Sequence, residues 1–249
     1  MSALTTHSGG AGKIRVALIG LGRMGRAVDA LAEERGCTIV ARLTAAETAV
    51  DLTVDRLNGA QVAIEFTEPA SALPNAKACL AAGCPVVIGT TGWTHQLPEL
   101  ESAVIHTQTA ALWAPNFALG VQLFLAIAEE AGRRFKDIAG FDSHLVETHH
   151  RAKKDAPSGT AIAIEQRLEV GLGHEVPITS VRTGSVPGTH EVVFDAPFEQ
   201  IRLTHEARDR RVFADGALVA ACWLAGKQTP GVYTMRDVVT PSNLSRLEC

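Results

Sequence analysis

The segment KIRVALIGLGRMG, residues 13–25, decides the fold predicted for this chain. Lys13–Ile19 is a short apolar run rich in Ile and Val, which is typical of a buried parallel strand. Gly20, Gly22 and Gly25 follow at once in a G-x-G-x-x-G pattern, and a helical pattern comes after them. This order is typical of a dinucleotide-binding unit, because the glycines allow a tight turn and let a pyrophosphate approach the helix start. The alternative interpretation is a glycine-rich turn that binds nothing.

The residues after the second predicted strand bear on which nucleotide is bound. In NAD-dependent proteins an acidic side chain about 20 residues past the glycines binds the adenosine ribose. Here Cys37–Ala41 leads into Arg42, with Thr44 beside it and Glu47 only later. A cation without an adjacent acid suits a 2′-phosphate, and Arg23 in the glycine turn adds a second cation. The sequence therefore favours NADPH, and NADH remains a candidate.

Strands and helices alternate through the rest of the first half. The pattern predicts a strand at 61–66, a helix at 70–82, a strand at 85–88 and a further short strand at 103–107. Such alternation predicts a parallel sheet whose ligands lie beyond the carboxyl ends of its strands. The tetrapeptides GTTG (89–92) and APNF (114–117) follow two such ends. They offer backbone groups, hydroxyls and an amide that suit a nicotinamide carboxamide, although ordinary turns have the same composition.

From residue 118 onward the pattern changes to a long helix and a series of strands. Residues 118–135 have helical spacing and connect the two halves. A second helix is predicted at 160–170, and strands are predicted at 141–149, 178–182, 190–194, 199–208 and 217–223. Apolar alternation around Leu203 and His205 indicates a sheet with one covered face. Packing against another subunit would cover the other face, so we expect a homo-oligomer.

The segment HHRAKKDAPSGT, residues 149–160, concentrates the chemically active side chains of the second half. It contains two imidazoles, three cations and a carboxylate, and it ends where a helix is predicted to begin. A helix start carries unpaired N–H groups and partial positive charge, so it binds anions, and His and Lys just upstream can supply protons to a bound anion. A solvated basic loop with a capped helix behind it is the alternative.

Composition and the remaining motifs exclude several classes of protein. The formal net charge of −4 argues against a nucleic-acid or anionic-membrane partner. No run approaches the roughly 18 apolar residues of a membrane span. Residues 1–12 resemble a flexible tail rather than a signal peptide, and the five scattered cysteines suggest reduced thiols, so we expect a cytoplasmic protein. No zinc-site spacing occurs, so we predict no metal, and the absence of a G-x-S-x-G elbow disfavours hydrolase chemistry. His190 and His205 fall in predicted strands, where structural histidines with satisfied hydrogen bonds are expected.

Residues 149–160 closely resemble the signature of the 4-hydroxy-tetrahydrodipicolinate reductase (dihydrodipicolinate reductase) family. The resemblance covers nearly the whole chain. It includes GRMGR at 22–26, GTTG at 89–92, APNF at 114–117, GTHEV at 188–192 and MRDV at 235–238. Many family members have a glycine where Ile19 stands, and the segment 44–60 is short, which leaves the choice between NADH and NADPH open.

The resemblance implies a fold and a reaction. The fold is a Rossmann-type doubly wound parallel sheet plus a second α+β domain with an open, mainly mixed or antiparallel sheet. Residues 13–117 and 224–249 would form the dinucleotide-binding domain, and 118–223 the substrate-binding and tetramer-forming domain. The implied reaction is the NAD(P)H-dependent reduction of a cyclic imine that carries two carboxylates, a step of lysine and diaminopimelate biosynthesis.

The resemblance also implies roles for individual residues. His149 matches the proton donor/acceptor, and Lys153 matches the proton donor. The implied substrate-binding residues are His150, Ser158, Gly159 and Thr160. The implied cofactor-binding residues, with those from the glycine turn, are Gly20, Gly22, Arg23, Met24, Gly25, Arg42, Gly89, Thr90, Thr91, Ala114, Pro115, Asn116 and Phe117. Lys154 has a weaker claim than Lys153, since an extended segment would point it the other way.

Two other functions compete with this one. A related nicotinamide-dependent dehydrogenase acting on another small acid would not require the complete block at 149–160. A catalytically silent nucleotide-binding sensor would be expected to lose His149 or Lys153, and both are present.

Overall fold

The structure, a computed structural model, describes residues 12–44 and 52–244. The first part of the chain contains β1 (Ile14–Ile19), α1 (Arg23–Leu31), β2 (Cys37–Leu43), β3 (Val62–Glu65), α2 (Pro69–Ala81), β4 (Val86–Ile88), α3 (Leu97–Thr107) and β5 (Ala110–Trp113). The second part contains α4 (Leu119–Phe135), β6 (Asp142–His149), α5 (Gly159–Leu172), β7 (Ile178–Arg182), β8 (Thr189–Ala196), β9 (Glu199–Glu206), α6 (Arg211–Ala225), β10 (Gly231–Tyr233), α7 (Met235–Val238) and α8 (Pro241–Leu244). Within the described ranges, no helix has both the length and the apolar character needed to cross a membrane.

Six parallel strands form the first sheet, in the order β10-β5-β4-β3-β1-β2. The chain winds outward from β1 in both directions, which confirms the predicted doubly wound sheet. Val16, Ala17 and Leu18 of β1 are fully buried. Both faces of this strand are covered, by α1 and α6 on one side and α2 and α3 on the other, which explains why its sequence is apolar without alternation.

Four strands form the second sheet, in the order β7-β6-β8-β9, with one parallel and two antiparallel pairings. This arrangement confirms the expected mixed sheet. Helices α4 and α5 cover one face, where Leu145, Val192 and Phe194 pack against their apolar side chains. The two helices approach closely at Gly171, where a Cβ would lie 2.3 Å from the carbonyl oxygen of Glu129.

Two of the predicted strands are wrong. Residues 103–107 belong to helix α3, and residues 217–223 belong to helix α6. Helix α6 packs against α1 and against β3, β4 and β5, and nearly all of its side chains between Ala214 and Leu224 are buried. A helix that is apolar on almost all sides has no 3.6-residue periodicity, so its sequence cannot be told from that of a buried strand.

The division into domains stays a prediction. The packing of α6 on the first sheet favours a return to that sheet at Arg211 rather than at 224. Residues 1–11 of the expected tail and Glu47 lie outside the described ranges. Cys37, Cys79 and Cys84 are buried free thiols, and Cys37 Sγ lies 3.3 Å from Cys222 Sγ.

Candidate functional site

A cleft of about 330 Å³ opens at the carboxyl ends of β1, β3 and β4. Here the strand order reverses, which is where ligands of such sheets bind. The cleft is lined by the predicted residues Gly22, Arg23, Met24, Gly89, Thr90 and Thr91, and by Phe66, Thr67 and Pro69, which the sequence did not suggest.

The three glycines of the first turn have different structural roles. Gly20 has a φ of +92°, and a Cβ there would lie 2.1 Å from the carbonyl oxygen of Phe66. A Cβ at Gly25 would lie 1.9 Å from the carbonyl oxygen of Gly20, so α1 packs directly on the turn. At Gly22 a Cβ would meet nothing within 4 Å. Folding therefore requires glycine at positions 20 and 25, whereas the bare backbone at Gly22 leaves open space on the cleft side.

The start of α1 has the properties of a pyrophosphate site. Gly22 is the N-cap and makes no side-chain capping hydrogen bond, so it covers none of the first N–H groups of the helix. Arg23 adds a cation at the same end of the helix. The exposed amides, the open space and the cation fit the phosphates of a pyridine nucleotide.

The guanidinium group of Arg42 is already paired with a carboxylate. It binds Asp29 of α1 through two hydrogen bonds, Nε to Oδ2 at 2.9 Å and a terminal nitrogen to Oδ1 at 2.7 Å. The hydrogen bond to Arg42 holds the pKa of Asp29 below its ordinary value, although burial opposes it. A 2′-phosphate at this position would have to share Arg42 with a carboxylate.

A buried carboxyl group supports the floor of the cleft. Glu65, the last residue of β3, is fully buried, and its Oε1 accepts hydrogen bonds from the amide and the hydroxyl of Thr67. The amide of Thr67 also binds Thr90 Oγ1 at 2.8 Å. Oε2 of Glu65 has no partner among the described residues. Burial raises the pKa of Glu65 above its ordinary value, and the hydrogen bonds only partly offset this effect.

The segment Ala114–Phe117 connects the two parts of the site. It follows β5 directly, and Phe117 packs edge-on against Phe66 with ring centroids 6.1 Å apart. Asn116 Nδ2 donates to Thr160 Oγ1 at 3.1 Å. This hydrogen bond joins a predicted cofactor-binding residue of the first sheet to a predicted substrate-binding residue of the second part.

The start of α5 has the properties of a second anion site. Ser158 is the N-cap, and its hydroxyl accepts a hydrogen bond from the amide of Ala161 at 3.1 Å. A Cβ at Gly159 would meet nothing within 4 Å, so the helix start is open there as at Gly22. His190 Nε2 lies 3.3 Å from Ser158 Oγ. Burial lowers the pKa of His190 to about 4, so this imidazole is neutral at physiological pH.

His149 is held by a buried ion-pair network. It ends β6, and its Nδ1 is hydrogen-bonded to Oε2 of Glu147, which is fully buried on the same strand face. Oε1 of Glu147 accepts a 2.6 Å hydrogen bond from Arg182 at the end of β7. Burial alone would raise the pKa of Glu147, but its hydrogen bonds, chiefly from Arg182, hold the pKa below the ordinary value. The other ring nitrogen, Nε2, lies beside Gly188, where a Cβ would be 2.9 Å away.

The loop after β6 presents the remaining predicted residues. Lys153 Nζ binds both carboxylate oxygens of Asp155, at 2.8 and 2.9 Å. Burial lowers the pKa of His149 below its ordinary value despite the hydrogen bond to Glu147, and the charge of Lys153 adds to this lowering. His150 Nε2 is 3.5 Å from a guanidinium nitrogen of Arg210. The structure therefore brings together an imidazole, an ammonium group and a helix start, and their roles stay a prediction.

Glu147, His149 and His190 place three possible metal-ligand atoms within 4.8 Å of one another. Sequence spacing did not reveal this grouping, because His190 comes from another strand. Both oxygens of Glu147 already accept hydrogen bonds, from His149 and Arg182. The three side chains therefore belong to an ion-pair network, and we assign no metal ion to them.

Sequence reasoning missed Glu147, Arg182 and His190. Glu147 lies two residues before His149 and therefore on the same face of a strand, a signal that was present in the sequence. His190 was expected to be satisfied, but its Nδ1 is buried without a partner in the ranges that the structure covers, and the same holds for His205. Arg182 is separated from Glu147 by 35 residues, and only the pairing of β6 with β7 brings them together.

Comparison with known proteins matches both halves of the chain to one family. The family model "Dihydrodipicolinate reductase, N-terminus" matches residues 14–117, and "Dihydrodipicolinate reductase, C-terminus" matches residues 120–239. The 4-hydroxy-tetrahydrodipicolinate reductase of Thiobacillus denitrificans is 35% identical over 266 residues, covering 91% of this chain and 98% of the relative. That of Christiangramia forsetii is 33% identical over 239 residues, with coverage of 91% and 98%.

A solved structure supports the fold. The dipicolinate-bound dihydrodipicolinate reductase from Paenisporosarcina sp. TG-14 superposes with a TM-score of 0.74 at 23% identity, covering 91% of this chain and 99% of that chain. The sequence matches and the fold agree, and this chain belongs to the dihydrodipicolinate reductase family.

Proposed function

We propose that this oxidoreductase reduces 4-hydroxy-tetrahydrodipicolinate to tetrahydrodipicolinate with a reduced pyridine nucleotide, in lysine and diaminopimelate biosynthesis. The observation that supports the proposal is the hydrogen bond between Asn116 and Thr160, which we assign to the nucleotide site and to the substrate site, respectively. A cyclic imine with two carboxylates needs both sites at once. A dehydrogenase for another small acid and a silent sensor remain the competing functions, and neither accounts for an intact His149 and Lys153.

The cleft residues hold the nucleotide in this proposal. Gly20, Gly22 and Gly25, with Arg23 and Met24, form the pyrophosphate site at the start of α1. The nicotinamide side is formed by Gly89, Thr90, Thr91 and residues 114–117. A bound reduced nicotinamide supplies the hydride. Phe66 and Phe117, whose rings pack edge-on, would exclude water beside the nicotinamide, and backbone groups and hydroxyls would orient it.

His149 and Lys153 supply protons in this proposal. The substrate ring accepts the hydride at a carbon that is conjugated to its C=N group. Electron density then builds up on the ring, and a proton must neutralise it. The hydrogen bond from Nδ1 to Glu147 leaves Nε2 of His149 available for proton transfer. Lys153 provides an ammonium group next to it, and Asp155 holds that group in place.

The start of α5 binds the substrate carboxylates in this proposal. The amides of Gly159 and Thr160, the hydroxyls of Ser158 and Thr160, and the imidazole of His150 are the donors that a dicarboxylate requires. Arg210 lies beside His150 and adds positive charge.

Cofactor preference, assembly and location complete the proposal. Arg23 and Arg42 favour NADPH, with Arg42 released from Asp29 when the 2′-phosphate binds. The uncovered face of the second sheet favours a homotetramer. We expect the enzyme to act in the cytoplasm, with no nucleic-acid or membrane partner.

The first experiment measures the consumption of NADPH and of NADH with the freshly generated product of dihydrodipicolinate synthase. Lys153→Ala should lower kcat by about 100-fold or more, because general acid catalysis typically contributes that much. Lys154→Ala is the matched control, since Lys154 is exposed and adjacent, and it should retain activity. A folded wild-type protein that binds nucleotide but consumes neither cofactor would contradict the reductase function and favour one of its competitors.

A further inference from the structure

Glu147 is a buried carboxylate to which the proposed chemistry assigns no step of its own. The residue is 0% exposed and lies on the strand face that carries His149. Each of its two oxygens has a separate partner: Oε2 binds His149 Nδ1, and Oε1 binds Arg182. A carboxylate on Nδ1 fixes the ring orientation and the tautomer, so that the proton which can be exchanged is carried by Nε2.

Arg182 connects this pair to the loop that carries Lys153. The guanidinium nitrogen that binds Glu147 also donates to the backbone carbonyl oxygen of Asp155 at 2.5 Å. The carboxylate of Asp155 in turn holds Lys153 through two hydrogen bonds. One guanidinium therefore restrains the support of His149 and the support of Lys153 at the same time.

The charges around His149 come from every element packed against it. Glu147 on β6 stabilises the imidazolium, whereas Lys153 in the loop and Arg182 on β7 disfavour it. His190 on β8 stacks edge-on with ring centroids 5.2 Å apart, and His205 on β9 lies beyond it. Of these groups, Glu147 is the one that favours a proton on His149.

We propose that Glu147 and Arg182 are positioning residues: they hold His149 with Nε2 toward the substrate and set the pH range in which it donates a proton. This inference rests on the proposed reductase function. Neither residue needs to touch the substrate, since Glu147 acts through His149, and Arg182 acts through Glu147 and the Asp155 carbonyl group.

The test compares pH profiles of kcat for Glu147→Gln and Arg182→Met. Glu147→Gln keeps the shape of the side chain but removes its charge, so the pKa of His149 should fall by about one unit. The alkaline limb of the profile should then move to lower pH, with a loss of up to about tenfold at pH 8 that becomes smaller as the pH falls toward the pKa of His149. Arg182→Met leaves the charge of Glu147 unopposed, so the alkaline limb should move to higher pH while the maximal rate falls.

Two controls separate positioning from general damage to the fold. Glu129→Gln removes a partly buried carboxylate that pairs with Arg133 and Arg167 on α4 and α5, and it should leave the profile unchanged. Glu147→Asp keeps the charge but shortens the reach, so it should lower kcat with little shift of the limb. Thermal unfolding measurements on all variants exclude those that do not fold.

An NMR titration of the His149 imidazole tests the inference without turnover, with His149→Asn used to assign the resonance. The neutral wild-type ring should carry its proton on Nδ1, and its pKa should fall in folded Glu147→Gln. A wild-type protein without turnover would overturn the proposed function, yet the titration would still decide the inference. Equal losses at every pH together with an unchanged His149 pKa in Glu147→Gln would overturn the inference alone.

Discussion

At the scale of single residues, burial determines which ionisable groups carry charge. Glu65 and Glu147 are both fully buried carboxyl groups at or near the ends of strands. Arg182 compensates the charge of Glu147, so its pKa is held below the ordinary value. Glu65 has only hydroxyl, amide and side-chain amide groups around it, so its pKa is raised by burial. The two carboxyl groups therefore have opposite protonation tendencies in one molecule.

Replacement of Glu65 by Gln should change how stability depends on pH. At a pH below 4.5, the ordinary pKa of a glutamate side chain, Glu65 is protonated in both the folded and the unfolded protein. Above 4.5 the unfolded chain releases the proton while the folded protein keeps it, so the free energy of unfolding falls as pH rises toward the raised pKa. The variant lacks this loss, so its melting temperature relative to wild type should increase from pH 4.5 to pH 8. Glu99→Gln, at an exposed site paired with Lys77, is the control. A constant difference between Glu65→Gln and wild type across that range would contradict the prediction.

Sequence identified His149 and Lys153 but not their supports. Both lie in one continuous segment that resembles a family signature. The partners of His149 come from β6, β7 and β8, so their relation to it depends on strand pairing rather than on distance along the chain. The apolar strand pattern around His190 predicts a structural histidine, because it does not show that His149 and His205 lie nearby.

At the scale of elements, the starts of α1 and α5, which we propose as two anion sites, share one feature. Each has a glycine, Gly22 or Gly159, at which an added Cβ would meet no protein atom within 4 Å. The fold does not need glycine at either position for packing. The absence of a side chain leaves room for a ligand instead.

Gly22→Ala and Gly159→Ala should therefore preserve folding but weaken different ligands. We expect melting temperatures within a few degrees of wild type, since both sites are open and neither has a positive φ. The first variant should raise the KM for NADPH, and the second the KM for the substrate, each by about tenfold for a displaced hydrogen-bonded anion. Gly25→Ala is a contrasting variant, because its Cβ would lie 1.9 Å from a carbonyl oxygen, and it should be strongly destabilised. Raised KM values for both ligands in both variants would contradict separate sites.

Elements with a strong pattern were predicted well, and α6 was not. The strand and helix that flank the first glycines, the long α4 and the strands of the second sheet all have clear periodicity or turn signals. Helix α6 packs against α1 and against the first sheet, and its small apolar side chains, such as those of Ala217, Ala220 and Ala221, are buried. Because this helix is buried on most sides, its sequence lacks the polar face that would have indicated a helix.

At the scale of the whole molecule, one face of the second sheet has no helical layer among residues 12–44 and 52–244. Leu145 and Val192 face α4 and α5, so the alternate residues, including Val146 and Val181, lie on the other face. Val181 is 36% exposed in the single chain. This face is the one that we propose is covered in a tetramer.

A charge on that face should therefore disrupt assembly. Val181→Glu should lower the mass measured by sedimentation equilibrium from a tetramer toward a smaller species, while the circular dichroism spectrum stays unchanged. Val170→Glu, at a 65% exposed position on α5, is the control and should leave the mass unchanged. An unaltered tetramer in Val181→Glu would place the interface elsewhere, and a wild-type monomer would refute the proposed assembly.

The contact between Phe117 and Gly216 has a mechanical consequence. The chain leaves the first sheet through residues 114–118 and comes back into α6, and a Cβ at Gly216 would lie 1.8 Å from the carbonyl oxygen of Phe117. The outgoing connection thus lies directly on the returning helix. Because the two connections lie side by side, the second sheet is joined to the first along a single line. We expect any rotation of the second sheet relative to the first to turn about that line, close to the hydrogen bond between Asn116 and Thr160.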